Sequence, residues 1–334
     1  MSELVERTRN TAGRVLTVTT NAAIDHTVWV PGFRAGEVNR VVAEDRSPGG
    51  KGINVAAALR VLGVEVDATG FLGSGNAGLF EAFFAESGIG DRFVRLDGAT
   101  RTGIKIVDEQ AGTTTDVNFP GIAPGPGDVE RLLEVVGELA PDAAWVALSG
   151  SLPAGAPVDL YARLTEVAHG GGAAVALDTS GAALAAAVAA APDLVKPNVE
   201  ELEGLARRPL PDTGALLGAV ADLQAAGVSR VVVSMGAEGG LFVAGDEAVV
   251  ARPPRVTVVS TVGAGDATVA GTLAATLAGG ALEDVARLAM ACGATAVTGV
   301  GPRLDAAEVA ARAGEVRVET LGVRSGSKQK GTPA

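Results

Sequence analysis

The stretch VVSTVGAGD, residues 258–266, sets two glycines and an aspartate between a β-branched run and the apolar segment ATVAGTLAATL. Read as a strand followed by a helix, it places Gly263, Ala264 and Gly265 at a helix N-terminus. First-turn N–H groups there have no carbonyl partner, the positive end of the helix dipole favours an anion, and glycine lets a phosphate approach the backbone. Asp266 stands beside such an anion hole. Alternatively, Asp266 is an N-cap and the glycines only turn the chain.

Three further stretches raise the same choice between chemistry and architecture. In SPGGKGINVAAALRVLG, glycines at 49, 50 and 52 enter a helix whose single charge before Gly63 is Arg60. The loop could present backbone N–H groups and Lys51 to a small polyol or phosphate, with Asn54 one turn in, or it could serve close packing. Because Gly52 follows Lys51, it is not a P-loop, which needs Gly-Lys-Ser/Thr. KPNVEEL puts Asn198 and Glu201 at the spacing of a capping box. The same oxygens at the mouth of a sheet could hold the water shell of Mg²⁺, which binds few protein oxygens directly. Residues 73–78, GSGNAG, form a G-x-G-x-x-G between strand and helix, with Asp97 near the next strand's end, as in a dinucleotide fingerprint. A chain with 46 glycines produces that pattern by chance, and it does not lie in the first strand-helix unit, so a packing turn is the competing reading.

Composition narrows the partners. A net charge of -12 repels phosphodiester backbones and anionic membranes, so neither nucleic acid nor membrane is expected, and an anionic ligand needs a local cluster of Lys and Arg. Two histidines and the single Cys292 cannot assemble the usual zinc ligand set, so a metal here is held by oxygen. One cysteine forms no internal disulfide, and the opening MSELVERTRNTAG lacks the apolar core of a secretory signal, which together give a cytoplasmic expectation. No run of 18 apolar residues suggests a membrane span.

The elements that must position these residues follow from the apolar pattern. RVLTVTT, VEVDATGFL, AAWVALSG and AAVALDTS alternate with the Ala/Leu-rich INVAAALRVLG, LFEAFFAESG and DLYARLTEVAHG. Near-continuous apolar strands alternating with helices predict an α/β fold with a mostly parallel sheet covered on both faces. Two places break the alternation. HTVWVPGF with EVNRVVAEDRS, and TGIKIVDEQ with TTTDVNFPG, read as hairpins that stand off the main sheet as a small β lid, at about 26–47 and 103–119. The expected domain is 14–320, with flexible tails at 1–13 and 322–334.

Taken in order, GGKGINVA, SGSLP, KPNVEEL, SMGAEGG and STVGAGDATVAG resemble the ribokinase-like carbohydrate kinases of the phosphofructokinase-B family, from about Arg14 to about Ala310. NAAID, GEVNRV and TDVNFPG are similar to its members that act on fructose 1-phosphate. The resemblance implies a nucleotide-binding α/β domain with a β lid. It implies ATP-dependent phosphorylation of the C6 hydroxyl of fructose 1-phosphate, with tagatose 6-phosphate or fructose 6-phosphate as alternative acceptors. A non-catalytic sugar or nucleotide sensor on the same fold is a further alternative, against which the intact Asp266 and anion hole argue, and an NAD-dependent oxidoreductase using the Gly73 loop is another. By the same resemblance Asp266 is the general base, and Gly263, Ala264 and Gly265 form the anion hole. Lys196, Asn198, Ser234, Gly236, Gly239 and Thr261 line the ATP side, with Mg²⁺ held through water near Asn198 and Glu201. Asp25, Gly50, Asn54 and Ser151 cradle the sugar, and Lys51, Arg101 and Lys105 meet its phosphate. A homodimer clasped through the lids is also implied. The chain departs from the family pattern at Ala22, where proline is usual, at Asn76, where aspartate is usual, and at Gly103, where asparagine is common.

Overall fold

Apolar runs alternating between β-branched and Ala/Leu-rich composition become strands and helices in a computed structural model, which describes residue 8, residues 13–299 and residues 304–322. Most of the two expected tails lies outside the described residues. Thr8, within the first of them, is buried and donates to the Leu62 carbonyl at 2.9 Å. The first strands are β1 (Arg14–Thr19), β2 (Ala23–Trp29), β3 (Ala43–Gly49), β4 (Glu65–Gly73), β5 (Gly90–Asp91), β6 (Val94–Leu96), β7 (Arg101–Asp108) and β8 (Thr113–Asn118). The later ones are β9 (Trp145–Ser149), β10 (Ala174–Asp178), β11 (Leu194–Val195), β12 (Arg230–Ser234), β13 (Gly240–Ala244), β14 (Glu247–Arg252) and β15 (Arg317–Leu321). The helices begin with α1 (Lys51–Val61), α2 (Gly78–Ser87), α3 (Pro126–Leu139), α4 (Leu160–Gly170) and α5 (Gly181–Val188). They continue with α6 (Val199–Ala206), α7 (Thr213–Ala225), α8 (Ala264–Leu277), α9 (Leu282–Ala296) and α10 (Ala306–Glu315).

The central sheet runs β15-β14-β13-β12-β11-β10-β9-β1-β4-β5, with β6 also on β4. Pairing is parallel from β12 through β1 to β4 and antiparallel from β12 out to β15. Successive side chains of a strand point to opposite faces, and here both directions meet a core. Val15, Trp145 and Ala147 join Ile53 and Leu59 of α1 and the apolar faces of α8 and α9. Leu16, Val18, Val146 and Leu148 join Leu132 of α3 and Leu164 of α4. Parallel order sends the C-terminal ends of β1, β9, β10, β11 and β12 to one edge of the molecule, where ligands bind in open α/β sheets.

A second sheet, β3-β2-β7-β8, stands apart. Its two antiparallel hairpins, β2 with β3 and β7 with β8, are joined by parallel pairing of β2 with β7. Two stretches expected to be strand are loop. Residues 37–42 precede β3, and Val38 is 89% exposed. The Asn39 amide accepts from Arg34 N and donates to the Arg34 and Glu37 carbonyls, a local alternative to a sheet ladder. VVSTV, residues 258–262, is also irregular. Both sides of β14 are already paired, by β13 and β15, so the chain leaving it has no strand to join. Val259 N and Ser260 N both bond to the Val297 carbonyl.

Helices α8 and α9 pack without side-chain spacers where they cross. A methyl group on Gly271 would lie 2.8 Å from Ala289 Cα, 2.9 Å from Leu288 O and 3.0 Å from Cys292 Sγ. Overpacking of this kind costs about 1–3 kcal/mol, more than the ~1 kcal/mol by which alanine outranks glycine in a helix interior. Gly271→Ala is therefore expected to lower the urea midpoint with unchanged m. A raised midpoint would show that the two helices part freely.

Candidate active site

At the edge where the parallel strands end, a cleft of about 550 Å³ separates the small sheet from the central one. Its walls bring together Asp25, Gly50, Lys51, Asn54, Arg101 and Ser151 with Lys196, Asn198, Glu201, Ser234, Thr261, Gly263, Gly265 and Asp266. Lys105 is not in the cleft wall. It sits on β7, paired with Thr27, on the face of the small sheet that carries Asp25. Gly236 and Gly239 close a short 3-10 turn after β12, outside the cleft wall, and the Ala264 side chain is outside it as well. A cleft of about 330 Å³ lined by Leu194, Arg230 and Phe242 opens at the opposite strand ends, away from the buried carboxylates.

Asp266 lies in the first turn of α8 and is 5% exposed. Gly263, with φ 85°, adopts the left-handed conformation that starts the helix, one that favours glycine. The first-turn amides that follow have no carbonyl within the helix to bond. Asn54 Nδ2 donates to Asp266 Oδ2 at 2.8 Å. That bond needs α1 close to the end of β1, and Gly52 permits it, since a methyl group there would meet Val18 O at 2.7 Å. Burial, helped by the charge of Asp178, pushes the Asp266 pKa up to about 6, against the lowering effects of the Asn54 hydrogen bond, Lys51 and Lys196.

Asp178, which sequence reasoning did not single out, is the counter-charge at the centre of the cleft. It ends β10, is 2% exposed, and faces Lys196 Nζ at 3.2 Å and Lys51 Nζ at 3.5 Å. Burial alone would lower the Lys51 pKa. Asp178, then Asp266 and Glu201, outweigh it and hold the pKa above the ordinary lysine value. The one sequence signal was a carboxylate closing the apolar run AAVALD, where a parallel strand reaches the ligand-binding edge.

On the other wall, Asn21 Nδ2 donates to Ser151 Oγ at 3.1 Å, and Arg101 Nη2 reaches Asn21 O at 3.5 Å. Asp25 has its pKa raised by burial, with Lys105 and Arg101 acting against the rise. The GSGNAG loop braces this wall. Asn76 accepts from Thr100 N at 2.8 Å and donates to Thr100 O at 2.9 Å, while Gly75 N donates to Gly98 O at 2.7 Å. A methyl group on Gly75, the glycine a pyrophosphate would approach, would lie 3.0 Å from Gly98 O, so protein backbone stands in that place. The dinucleotide reading of this loop gives way to a packing turn that sets the start of β7.

Asn198 and Glu201 make the full capping box. Glu201 N donates to Asn198 Oδ1 at 2.7 Å and Asn198 N to Glu201 Oε2 at 2.9 Å. Both still line the cleft, and each carboxyl or amide oxygen keeps lone pairs beyond its one backbone bond. Among the described residues no group of three or more His, Cys, Asp or Glu could cage a metal. A pair of oxygens near one buried carboxylate instead fits an ion such as Mg²⁺ that keeps most of its waters.

Known proteins with this sequence pattern share its chemistry class. The sequence profile of the pfkB family carbohydrate kinases matches residues 16–309. A 1-phosphofructokinase of Rhodobacter capsulatus is 51% identical over 310 residues, 92% of this chain and 98% of that protein. The 1-phosphofructokinase of Escherichia coli K12 is 40% identical over 285 residues, 85% of this chain and 91% of that protein. The crystal structure of Escherichia coli phosphofructokinase-2 in complex with fructose-6-phosphate superposes with a TM-score of 0.85 at 28% identity, covering 91% of this chain and 99% of that one.

The raised Asp266 pKa is also a statement about stability. A carboxyl that moves from 3.8 to about 6 on folding stabilises the fold fully below pH ~4, and this contribution is lost as pH rises through about 6. At neutral pH the buried charge therefore weighs against the folded state, by at most about 3 kcal/mol. Asp266→Asn, which keeps the shape and an acceptor for Asn54, is expected to raise the melting temperature at pH 7, with the gain shrinking between pH 6 and 4. A variant less stable than wild type at pH 7 would mean that Lys51 and Lys196 more than offset the burial.

Proposed function

The chain belongs to the pfkB family of carbohydrate kinases and is a sugar-phosphate kinase with the ribokinase-like fold; from that premise we propose that it phosphorylates the C6 hydroxyl of fructose 1-phosphate with ATP, giving fructose 1,6-bisphosphate and ADP. The observation that carries this reading is the cleft in which a buried carboxylate, Asp266, stands at a helix N-terminus with Lys51 and Lys196 near it and Arg101 in the same lining. The choice of sugar phosphate follows the relatives named 1-phosphofructokinase, at 51% and 40% identity, over the fructose-6-phosphate complex at 28%.

Phosphoryl transfer asks the protein mainly to position groups and stabilise charge, so a carboxylate of modest basicity suffices to take the hydroxyl proton. In this reading Asp25, Gly50, Asn54 and Ser151 cradle the sugar, and Lys51, Arg101 and Lys105 hold its phosphate. The C6 oxygen attacks the terminal phosphorus, its proton passes to Asp266, and the bond from that phosphorus to the bridging oxygen breaks as ADP leaves. Backbone N–H groups at Gly263 and Gly265, joined by that of Ala264 when it gives up its 3.4 Å bond to Thr261 O, face the charge on the transferring group. Lys196, Ser234, Gly236, Gly239 and Thr261 line the nucleotide side. Asn198 and Glu201 would hold Mg²⁺ through water; bound there, the ion neutralises triphosphate charge.

The small sheet then serves as a lid over 26–47 and 103–119, excluding water so that the phosphoryl group goes to the sugar. Homodimer formation through this sheet belongs to the same reading, supported by exposed apolar side chains at Val117 and Phe119. A cytoplasmic site of action is also part of it.

Release of ADP, measured with fructose 1-phosphate, fructose 6-phosphate and tagatose 6-phosphate in turn, tests the assignment. The highest kcat/KM is expected for fructose 1-phosphate, and Asp266→Asn should lose on the order of 10²-fold in kcat while still binding both substrates. Preference for another sugar phosphate would reassign the acceptor, and wild-type kcat in the variant would reduce Asp266 to a structural role. Hydrogen exchange checks the lid: fructose 1-phosphate with a non-hydrolysable ATP analogue should slow exchange in both lid segments. Protection confined to the central sheet would remove the lid from the mechanism.

A further inference from the structure

Strand register gathers an unassigned side chain onto the sugar face of the small sheet. Asp25 pairs with Gly103 across β2 and β7, and Gly103 pairs with Asn118 across β7 and β8. Directly paired residues share a face, so Asn118 stands on the side where Asp25 lines the cleft. Arg101 and Lys105, two residues to either side of Gly103 on β7, stand on it too. Gly103 is thus the floor of a notch with Asp25 and Asn118 across the strands and Arg101 and Lys105 along them. A methyl group on Gly103 would lie 3.2 Å from Asn118 Oδ1 and 3.8 Å from Asp25 Oδ1. Among the described residues these are the only atoms beyond its chain neighbours within 4 Å of that point.

We propose that Asn118 is a specificity-determining ligand for the phosphate-bearing end of the sugar, its amide donating to a phosphate oxygen held between Arg101 and Lys105 over the space left by Gly103. The inference rests on the reading of this face as the sugar-phosphate site. An asparagine amide carries both donor and acceptor, and a half-turn of its last bond presents Nδ2 where Oδ1 now points. Asp25 beside it offers only acceptors, which suit sugar hydroxyls and repel phosphate. A neutral donor on the far side of the notch therefore fixes which end of the substrate lies over Gly103.

Steady-state kinetics of Asn118→Ala, Asn118→Asp and Arg101→Ala, with fructose 1-phosphate and ATP each varied, test this. Loss of one hydrogen bond to a charged phosphate is expected to raise KM for fructose 1-phosphate about tenfold in Asn118→Ala, with KM for ATP unchanged. Asn118→Asp, nearly the same shape but negative and without a donor, should raise it about a further tenfold. Gly103→Ala, whose methyl group crowds the amide, should raise it as well. If Arg101→Ala raises KM for the sugar phosphate while both Asn118 variants leave it unchanged, Asn118 is no ligand and the inference falls alone. Equal effects of alanine and aspartate, or equal effects on both substrates, would mark a structural role for this edge strand and overturn it too. If Arg101→Ala is also without effect, the sugar-phosphate reading of the face fails and takes the inference with it.

Discussion

A carboxylate taken out of water must be compensated, and most of the cleft can be understood as compensation for Asp266. Its charge survives near neutral pH because Asn54 donates to it and because Lys51 and Lys196 stand close by. They come from three places in the chain: Asn54 and Lys51 on α1, Lys196 just after β11, Asp266 on α8. The small residues where these elements meet are what allow the approach. Gly52 lets α1 press on the end of β1, and Gly265 leaves Lys196 Nζ 3.4 Å from where a methyl group would stand. A chain with a net charge of -12 thus gathers Lys51, Arg101 and Lys196 at one edge of its sheet, among the carboxylates of Asp25, Asp178, Glu201 and Asp266.

The parallel sheet was legible in the sequence because strands buried on both faces leave an unbroken apolar record. Residues 37–42 and 258–262 misled for the same reason in reverse. Their valines have the composition of strands, but strand propensity describes a fit to a pleated surface and cannot say whether a neighbouring strand is there to pair. The site was legible where its residues are close in sequence, as in VGAGD and NVEE. Asp178 was not, because its partners Lys51 and Lys196 are distant in the chain and a lone aspartate after a strand has no spacing to recognise. Asn76 was visible only as a departure from a pattern. The structure shows it bracketing both backbone polar groups of Thr100, next to Arg101.

Architecture and chemistry proved to be compatible readings of one motif. Asn198 and Glu201 satisfy each other's backbone donors at the start of α6, and this mutual bond holds both side chains at the rim of the cleft. A cap of this kind restricts rotamers, so oxygens kept for a ligand lose less entropy when one binds. The GSGNAG loop resolved the other way. Neighbouring backbone crowds Gly73 and Gly75, while Gly78 stands in open space, and the loop's contribution to the cleft is indirect, through the start of β7.

The parallel pairing of β2 with β7 has a mechanical consequence. It fuses the two hairpins into one plate that carries Asp25 and Arg101, while Lys51, Asn54 and Asp266 ride on the central body. Opposing walls of the cleft therefore belong to separate sheets, and a molecule gripped by both spans the seam between them. On the proposed lid reading a molecule that fits that span acts as a rivet: it fastens plate to body, and the fastened geometry sets an acceptor beside the buried carboxylate. On the same reading a shorter molecule touches one wall only, so discrimination by length follows from which sheet carries each wall as much as from what lines the cleft.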